Sequence, residues 1–339
     1  MSPTAGPLVR RFWTTPAIRI LALGALGSIP FMLLSIANVG GLRGIWDNAH
    51  WCISAIGAAA AAIVSVRGAT GRVRAVRRWG AAAFVLWMIS TVAWAWLSLA
   101  GTVSVPSITD LCIVAIAIPG IGLLVAAFRG KVSPAEELAI YLDALLACLF
   151  IGTLLVFVFG ASVVGVPIAN AVAGIAYPAG FIGLGAAGLV AALAVGQPIN
   201  PRGATALCAG SAIIGLAYVG WIMSSTSLID PGALPSLFFT IGTLIAAYGV
   251  VTWQDERSTS QRYLQVARIA TQILAPTVAS LLFLLVLAPA PAPVEGLVHL
   301  GIFAASIVFI VRQGRLLRER TTMLSRVTTL TEENGRLVG

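Results

Sequence analysis

The chain has 339 residues, of which 59% are hydrophobic and only 10% charged, with a mean hydropathy of +0.97 and a net charge of +9. A soluble domain carries about 25% charged residues, so the composition excludes a soluble globular protein and points to an integral membrane protein embedded in a lipid bilayer. The surplus cations are spread over short connections with no nucleic-acid-binding motif, which assigns them to topology and anionic lipid head groups rather than to DNA or RNA.

A spanning helix takes about 20 mainly apolar residues. In chain order, such segments fall near 17–38, 46–66, 79–100, 108–128, 139–160, 168–195, 203–223, 233–252, 268–288 and 294–311. The predicted fold is all-α and polytopic, with ten transmembrane helices across 17–311, an N-terminal segment over 1–16 and a tail over 312–339. The first span follows Arg10 and Arg11 as a signal peptide would, but its apolar run exceeds the roughly 7–15 residues of a cleaved signal and is read as retained.

Short loops rich in Lys and Arg stay on the cytoplasmic side. With the N-terminus inside, that side receives Arg10, Arg11, Arg19, the cluster from Arg67 to Arg78, Arg129, Lys131, Arg202, Arg257, Arg262, Arg268 and the tail arginines; Arg43 alone falls outside. Both termini are therefore expected in the cytoplasm. The outer connections, 40–45, 101–107, 161–167, 224–232 and 289–293, are too short for a folded domain, so an external stimulus would be read within the bundle or at its outer rim.

Ionisable groups inside spans are costly and mark functional positions. The outer-leaflet set is Asp47, His50, Asp110, Glu295 and His299, with Asn170 and Tyr177 as polar company, and it includes both histidines of the chain. Such a set suits a ligand pocket, a proton-sensing pair or a metal or haem site, since histidine titrates near neutrality and ligates metals. No HxxxH or HxxE spacing supports a metal, and the expectation is no metal and no cofactor. The competing role for Asp47, Asp110 and Glu295 is capping of helix N-termini. On the opposite side, Asp143 lies one turn into the fifth span, where it suits either a lock against a base such as Arg78 or Arg202 or a hydrated carboxylate at the interface.

The four cysteines, Cys52, Cys112, Cys148 and Cys208, lie inside spans without close pairing and read as small apolar packing rather than disulfides. Glycines such as Gly180, Gly183, Gly185 and Gly188 allow backbones to approach closely, with Gly180 and Gly188 as packing faces. Residues 78–128 laid over 202–252 match Arg78 with Arg202 and Trp94 with Tyr218, the pattern of a parallel internal repeat. No Walker loop, GxSxG elbow, HExxH or clustered triad is present, so no enzyme activity is expected.

The last span runs without a break into a charged tail. Phe309, Leu316, Met323, Leu330 and Leu337 repeat every seven residues at heptad position d, which places Gln313, Arg320, Val327 and Asn334 at a. An Asn at a favours a two-stranded register, while Leu317 and Leu324 widen the apolar seam. A cytoplasmic coiled coil and a homodimer follow.

The run Arg77-Arg78-Trp79 opens the third span, and Pro106-Ser107-Ile108-Thr109-Asp110, with Pro119 beyond it, opens the fourth. Leu142-Asp143-Ala144-Leu145 lies in the fifth, and the exit reads Val311-Arg312-Gln313-Gly314-Arg315-Leu316-Leu317-Arg318-Glu319. In these stretches the chain resembles the multi-span N-terminal modules of actinobacterial signalling proteins that carry GGDEF or GGDEF–EAL output domains. The resemblance implies a sensor in the bacterial plasma membrane that serves cyclic-di-GMP signalling through a cytoplasmic output domain or protein. No GGDEF, EAL or kinase residues follow the tail, so the chain is read as an input module apart from its output. A ten-helix small-molecule transporter and a non-sensing membrane scaffold are the alternatives.

Overall fold

The computed structural model describes residues 15–104, 106–129, 134–160, 168–194, 201–225, 232–254 and 294–338, with scattered positions between 265 and 292. All regular structure among them is helical. The helices are α1 (Pro16–Ile36), α2 (Arg43–Arg67), α3 (Gly71–Leu99), α4 (Ile108–Ala115), α5 (Ala117–Phe128), α6 (Pro134–Phe159), α7 (Ile168–Ala194), α8 (Pro201–Ser225), α9 (Leu234–Val251) and α10 (Glu295–Val338).

Eight candidate spans are long and apolar enough to cross a membrane: α1, α2, α3, α4 with α5, α6 from Glu137, α8 from Gly203, α9, and α10 as far as Arg315. The chain is a multi-pass membrane protein. Its outer surface agrees, because α1 alone exposes Leu23, Leu26 and Leu33, side chains that water would not tolerate in such a run but lipid does. α7 adds a shorter described apolar stretch, Ala173–Leu189. Most positions of the expected ninth span, 268–288, lie outside the described residues.

The fourth span is two pieces. Pro119 has no amide hydrogen, which leaves the carbonyl of Ala115 without its helical donor, so the ladder is interrupted at Ile116, which keeps helical dihedrals and bonds to Cys112 and Gly120 on either side. α3 begins at Gly71 rather than 79, because the arginine run continues the helix beyond its apolar part. At this end the Arg77 guanidinium donates to the carbonyls of Ser65 (2.8 Å) and Trp253 (2.9 Å), and Arg72 donates to that of Arg129 (2.8 Å). These arginines thus occupy carbonyls that helix C-termini leave free.

Six segments close into a ring in the order α2, α3, α4–α5, α7, α8, α9 and back to α2. α1 packs outside α2 and α9, α6 outside α7, and α10 on α6. Small residues permit the tightest approaches: a Cβ on Gly57 would stand 2.9 Å from the Gly24 Cα, and one on Gly242 would stand 2.8 Å from the Gly210 carbonyl oxygen. Of the glycines expected to pack α7, Gly183, Gly185 and Gly188 do so, against Cys148 and Cys208, whereas Gly180 has nothing within 4 Å of its Cβ position. All four cysteines are free.

Candidate functional site

The centre of the ring holds a cavity of about 670 Å³, at the end of the bundle away from the arginine-rich connections. Every ring segment contributes to its wall. α2 supplies Trp51 and Ser54; α3 supplies Trp87, Ser90, Thr91 and Trp94; α4 supplies Thr109, Asp110 and Ile113; α7 supplies Asn170, Gly174 and Tyr177. Tyr218, Trp221 and Ile222 of α8 and Phe239 and Thr243 of α9 complete it. The rim residues Val103, Ser104, Asn170 and Trp221 are exposed, while Trp87, Tyr218 and Phe239 are buried, so the cavity opens beside the connections and closes at depth.

The closed end is a cycle of four aromatic rings from four helices. Trp87 meets Phe181 edge-on at 5.4 Å, Phe181 stacks on Tyr218 at 5.7 Å, Tyr218 meets Phe239 edge-on at 4.7 Å, and Phe239 returns to Trp87 at 6.3 Å. Tilted and edge-on contacts of this kind are favoured by the ring quadrupoles. Beneath this floor lies a second void of about 70 Å³, lined on one side by Trp87 and on another by Cys208.

Asp110 is the carboxylate of the cavity wall. One oxygen accepts the Ser107 amide (2.6 Å) and hydroxyl (2.9 Å), which caps α4, and the other accepts the Tyr177 hydroxyl from across the ring. Capping and cavity lining, weighed as rivals from the sequence, are both performed by the same side chain. Next to it the Thr109 hydroxyl oxygen is buried on the cavity wall without a hydrogen-bond partner.

Asp47 and His50 form a separate, neighbouring cluster. His50 is fully buried, with Nδ1 2.7 Å from the Thr240 hydroxyl and Nε2 3.3 Å from Asp47 and 3.2 Å from the Ser236 hydroxyl. The Ser35 hydroxyl donates to Asp47 at 2.5 Å, so the cluster joins α1, α2 and α9. Trp51 stands between cluster and cavity: its indole donates to the Ser236 carbonyl (2.9 Å) and its ring meets Phe239 edge-on at 5.4 Å.

The outer polar set is therefore not one site. Asp110, Asn170 and Tyr177 share the cavity; Asp47 and His50 lie beside it; Glu295 and His299 are exposed on α10, which among the described residues packs on α6. The aromatic wall is built mainly from uncharged rings, which a pattern of ionisable groups does not reveal, and of its rings Tyr177 alone belongs to the expected polar set, with Trp94 and Tyr218 expected as repeat equivalents.

Asp143 also has a different partner from those expected. Arg312 donates through Nε to one of its oxygens and through Nη2 to the other at 3.0 Å, with both side chains nearly buried, 11% and 12% exposed. Arg78 is exposed instead, and the Arg202 side chain lies outside the described residues. The lock thus joins α6 to α10, because Asp143 and Arg312 fall at the same level of two packed helices.

α10 runs unbroken for 44 residues, about 66 Å at 1.5 Å per residue, roughly twice the 30 Å hydrocarbon core. The backbone is helical through the whole heptad region, while the side chains of Leu316, Met323, Val327, Leu330, Asn334 and Leu337 lie outside the described set. No protein-family model, curated protein or solved structure matches the chain.

Proposed function

We propose that this multi-pass membrane protein is a sensor and transducer, in which occupancy of the aromatic cavity alters the packing of α7 on α6, and α6 hands the change to α10. The observation that carries the reading is the order of contacts. α7 gives Asn170, Gly174 and Tyr177 to the cavity and packs on α6, and α6 holds α10 through an apolar face, Leu146 against Val298 and Ile302, and through Asp143 and Arg312.

In this proposal the bundle has ten spans, the ninth over 268–288, and both termini lie in the cytoplasm of a bacterial cell. Residues 312–338 of two copies pair as a coiled coil and present an output domain or protein of the cyclic-di-GMP type with one of two arrangements. The resemblance of the exit segment around Val311 to Glu319 supports that assignment. Trp94 and Tyr218, equivalent in the expected repeat, both line the cavity. A ligand moves such an equilibrium only by binding one arrangement better.

Hydrogen exchange across 312–338 tests the reading with the full chain in nanodiscs. A Cβ on Gly174 meets only Ile222, at 3.8 Å, and the residue lines the cavity, so Gly174→Phe should take up cavity volume and alter exchange in the tail. Unaltered exchange in a correctly inserted variant would remove the reading.

The second void beneath the aromatic floor favours one rival, a small-molecule transporter that passes cargo from one void to the other. Removal of residues 319–339 separates the two: transport survives it and transduction does not.

A further inference from the structure

Seven aromatic side chains, Trp51, Trp87, Trp94, Trp221, Tyr177, Tyr218 and Phe239, surround the cavity, and among the described residues its one acidic group is Asp110. No lysine, arginine or histidine lines it among the described residues. An anion would meet ring faces, which carry partial negative charge, and a carboxylate. A cation meets the opposite: aromatic faces attract it, most strongly where water is excluded, and a cage of such faces is how quaternary ammonium groups are recognised.

Several details of the wall agree. Trp94 and Trp221 stand at right angles with centroids 5.5 Å apart, and Tyr177 and Tyr218 are tilted at 5.4 Å, so these wall rings are inclined to one another rather than stacked into one slab. Asp110 is held by three donors, all neutral, and has no cationic partner among the contacts described. The unpartnered Thr109 hydroxyl beside it offers a further polar contact to an occupant. About 670 Å³ lies within the 300–1,000 Å³ range of small-molecule sites.

We infer that the cavity binds a lipophilic organic cation, held by its aromatic walls and balanced by Asp110. This rests on the cavity being the ligand site of the sensor reading, and it adds the class of ligand. An amphipathic amine or quaternary ammonium compound fits; a carboxylate or phosphate does not.

The test uses two ions of one shape and opposite charge. Tetraphenylphosphonium and tetraphenylborate are titrated into the full chain in nanodiscs, with tryptophan fluorescence as readout and empty nanodiscs subtracted. Saturable binding of the phosphonium and none of the borate is expected. Asp110→Asn should weaken the phosphonium about tenfold, a loss equivalent to one strong cation contact. Trp94→Leu, at a partly buried position of the wall, should weaken it severalfold in a chain whose melting temperature shows it folded. Equal binding of both ions, or a phosphonium affinity indifferent to both substitutions, would overturn the cation assignment and leave the cavity as a ligand site. Absence of saturable binding by either ion would overturn the proposal outright. Phosphonium binding without any change in tail exchange would sustain it and remove only the transduction reading.

Discussion

Asp143 and Arg312 are joined by two parallel hydrogen bonds from one guanidinium to one carboxylate, at the point where the apolar part of α10 gives way to its charged part. A nearly buried pair of this geometry is costly to break, because removing one partner strands the other charge, at about 3–5 kcal/mol. Asp143→Ala should therefore lower stability in detergent by about that amount. Glu137→Ala, which removes only an acceptor for the Tyr141 hydroxyl at 2.7 Å, should cost about 1 kcal/mol. Combining Asp143→Leu with Arg312→Met should recover much of the loss, since no charge is then stranded. Equal melting temperatures for Asp143→Ala and Glu137→Ala would rule out the lock.

Trp87 separates the two voids of the ring. Trp87→Ala should cost about 3–5 kcal/mol and join the voids. Cys208, on the wall of the lower one, should then react with a membrane-impermeant thiol reagent added from the cavity side. Peptide mass spectrometry reads the modification at that cysteine, and protection equal to that of the unsubstituted chain would mean that the floor does not depend on Trp87.

Gly57 and Gly180 differ in what surrounds them. Gly57→Ala drives a methyl group against the Gly24 backbone and should cost about 1–3 kcal/mol, by loosening α1 from α2. Gly180→Ala meets nothing and should change the unfolding midpoint little. Unfolding in mixed micelles compares the two, and an equal response would show that the α1–α2 approach is not tight.

Removal of the tail after Arg318 should convert a dimer to a monomer, measured by light scattering of the detergent-purified chain with the detergent mass subtracted. A monomer in both forms would end the coiled-coil reading of the heptads.

The spans were legible because a run of apolar residues of bilayer length is the strongest pattern a sequence carries. What faces what within the bundle was not. Trp94 and Trp96 stand two residues apart on α3, yet the first lines the cavity and the second is 74% exposed. In a soluble helix the polar face would distinguish them, whereas here both lipid and cavity select aromatic and aliphatic side chains. The histidines illustrate the same limit. His50 and His299 look alike as outer-leaflet imidazoles, but one is enclosed by α1 and α9 and the other faces outward. Asp143 was legible as a candidate for a salt bridge, and its partner was not, because pairing depends on which helix lies alongside.

Each ring of the aromatic floor belongs to a different helix: Trp87 to α3, Phe181 to α7, Tyr218 to α8 and Phe239 to α9. A bilayer pierced from one side by a wet chamber has its electrical resistance concentrated in whatever thickness remains beneath. For this molecule that thickness includes four interlocked side chains, and tilting any one of the four helices opens a seam. The tightness of the membrane to ions is thereby tied to the arrangement of the bundle, so a conformation that loosened the floor would register first as a leak of charge.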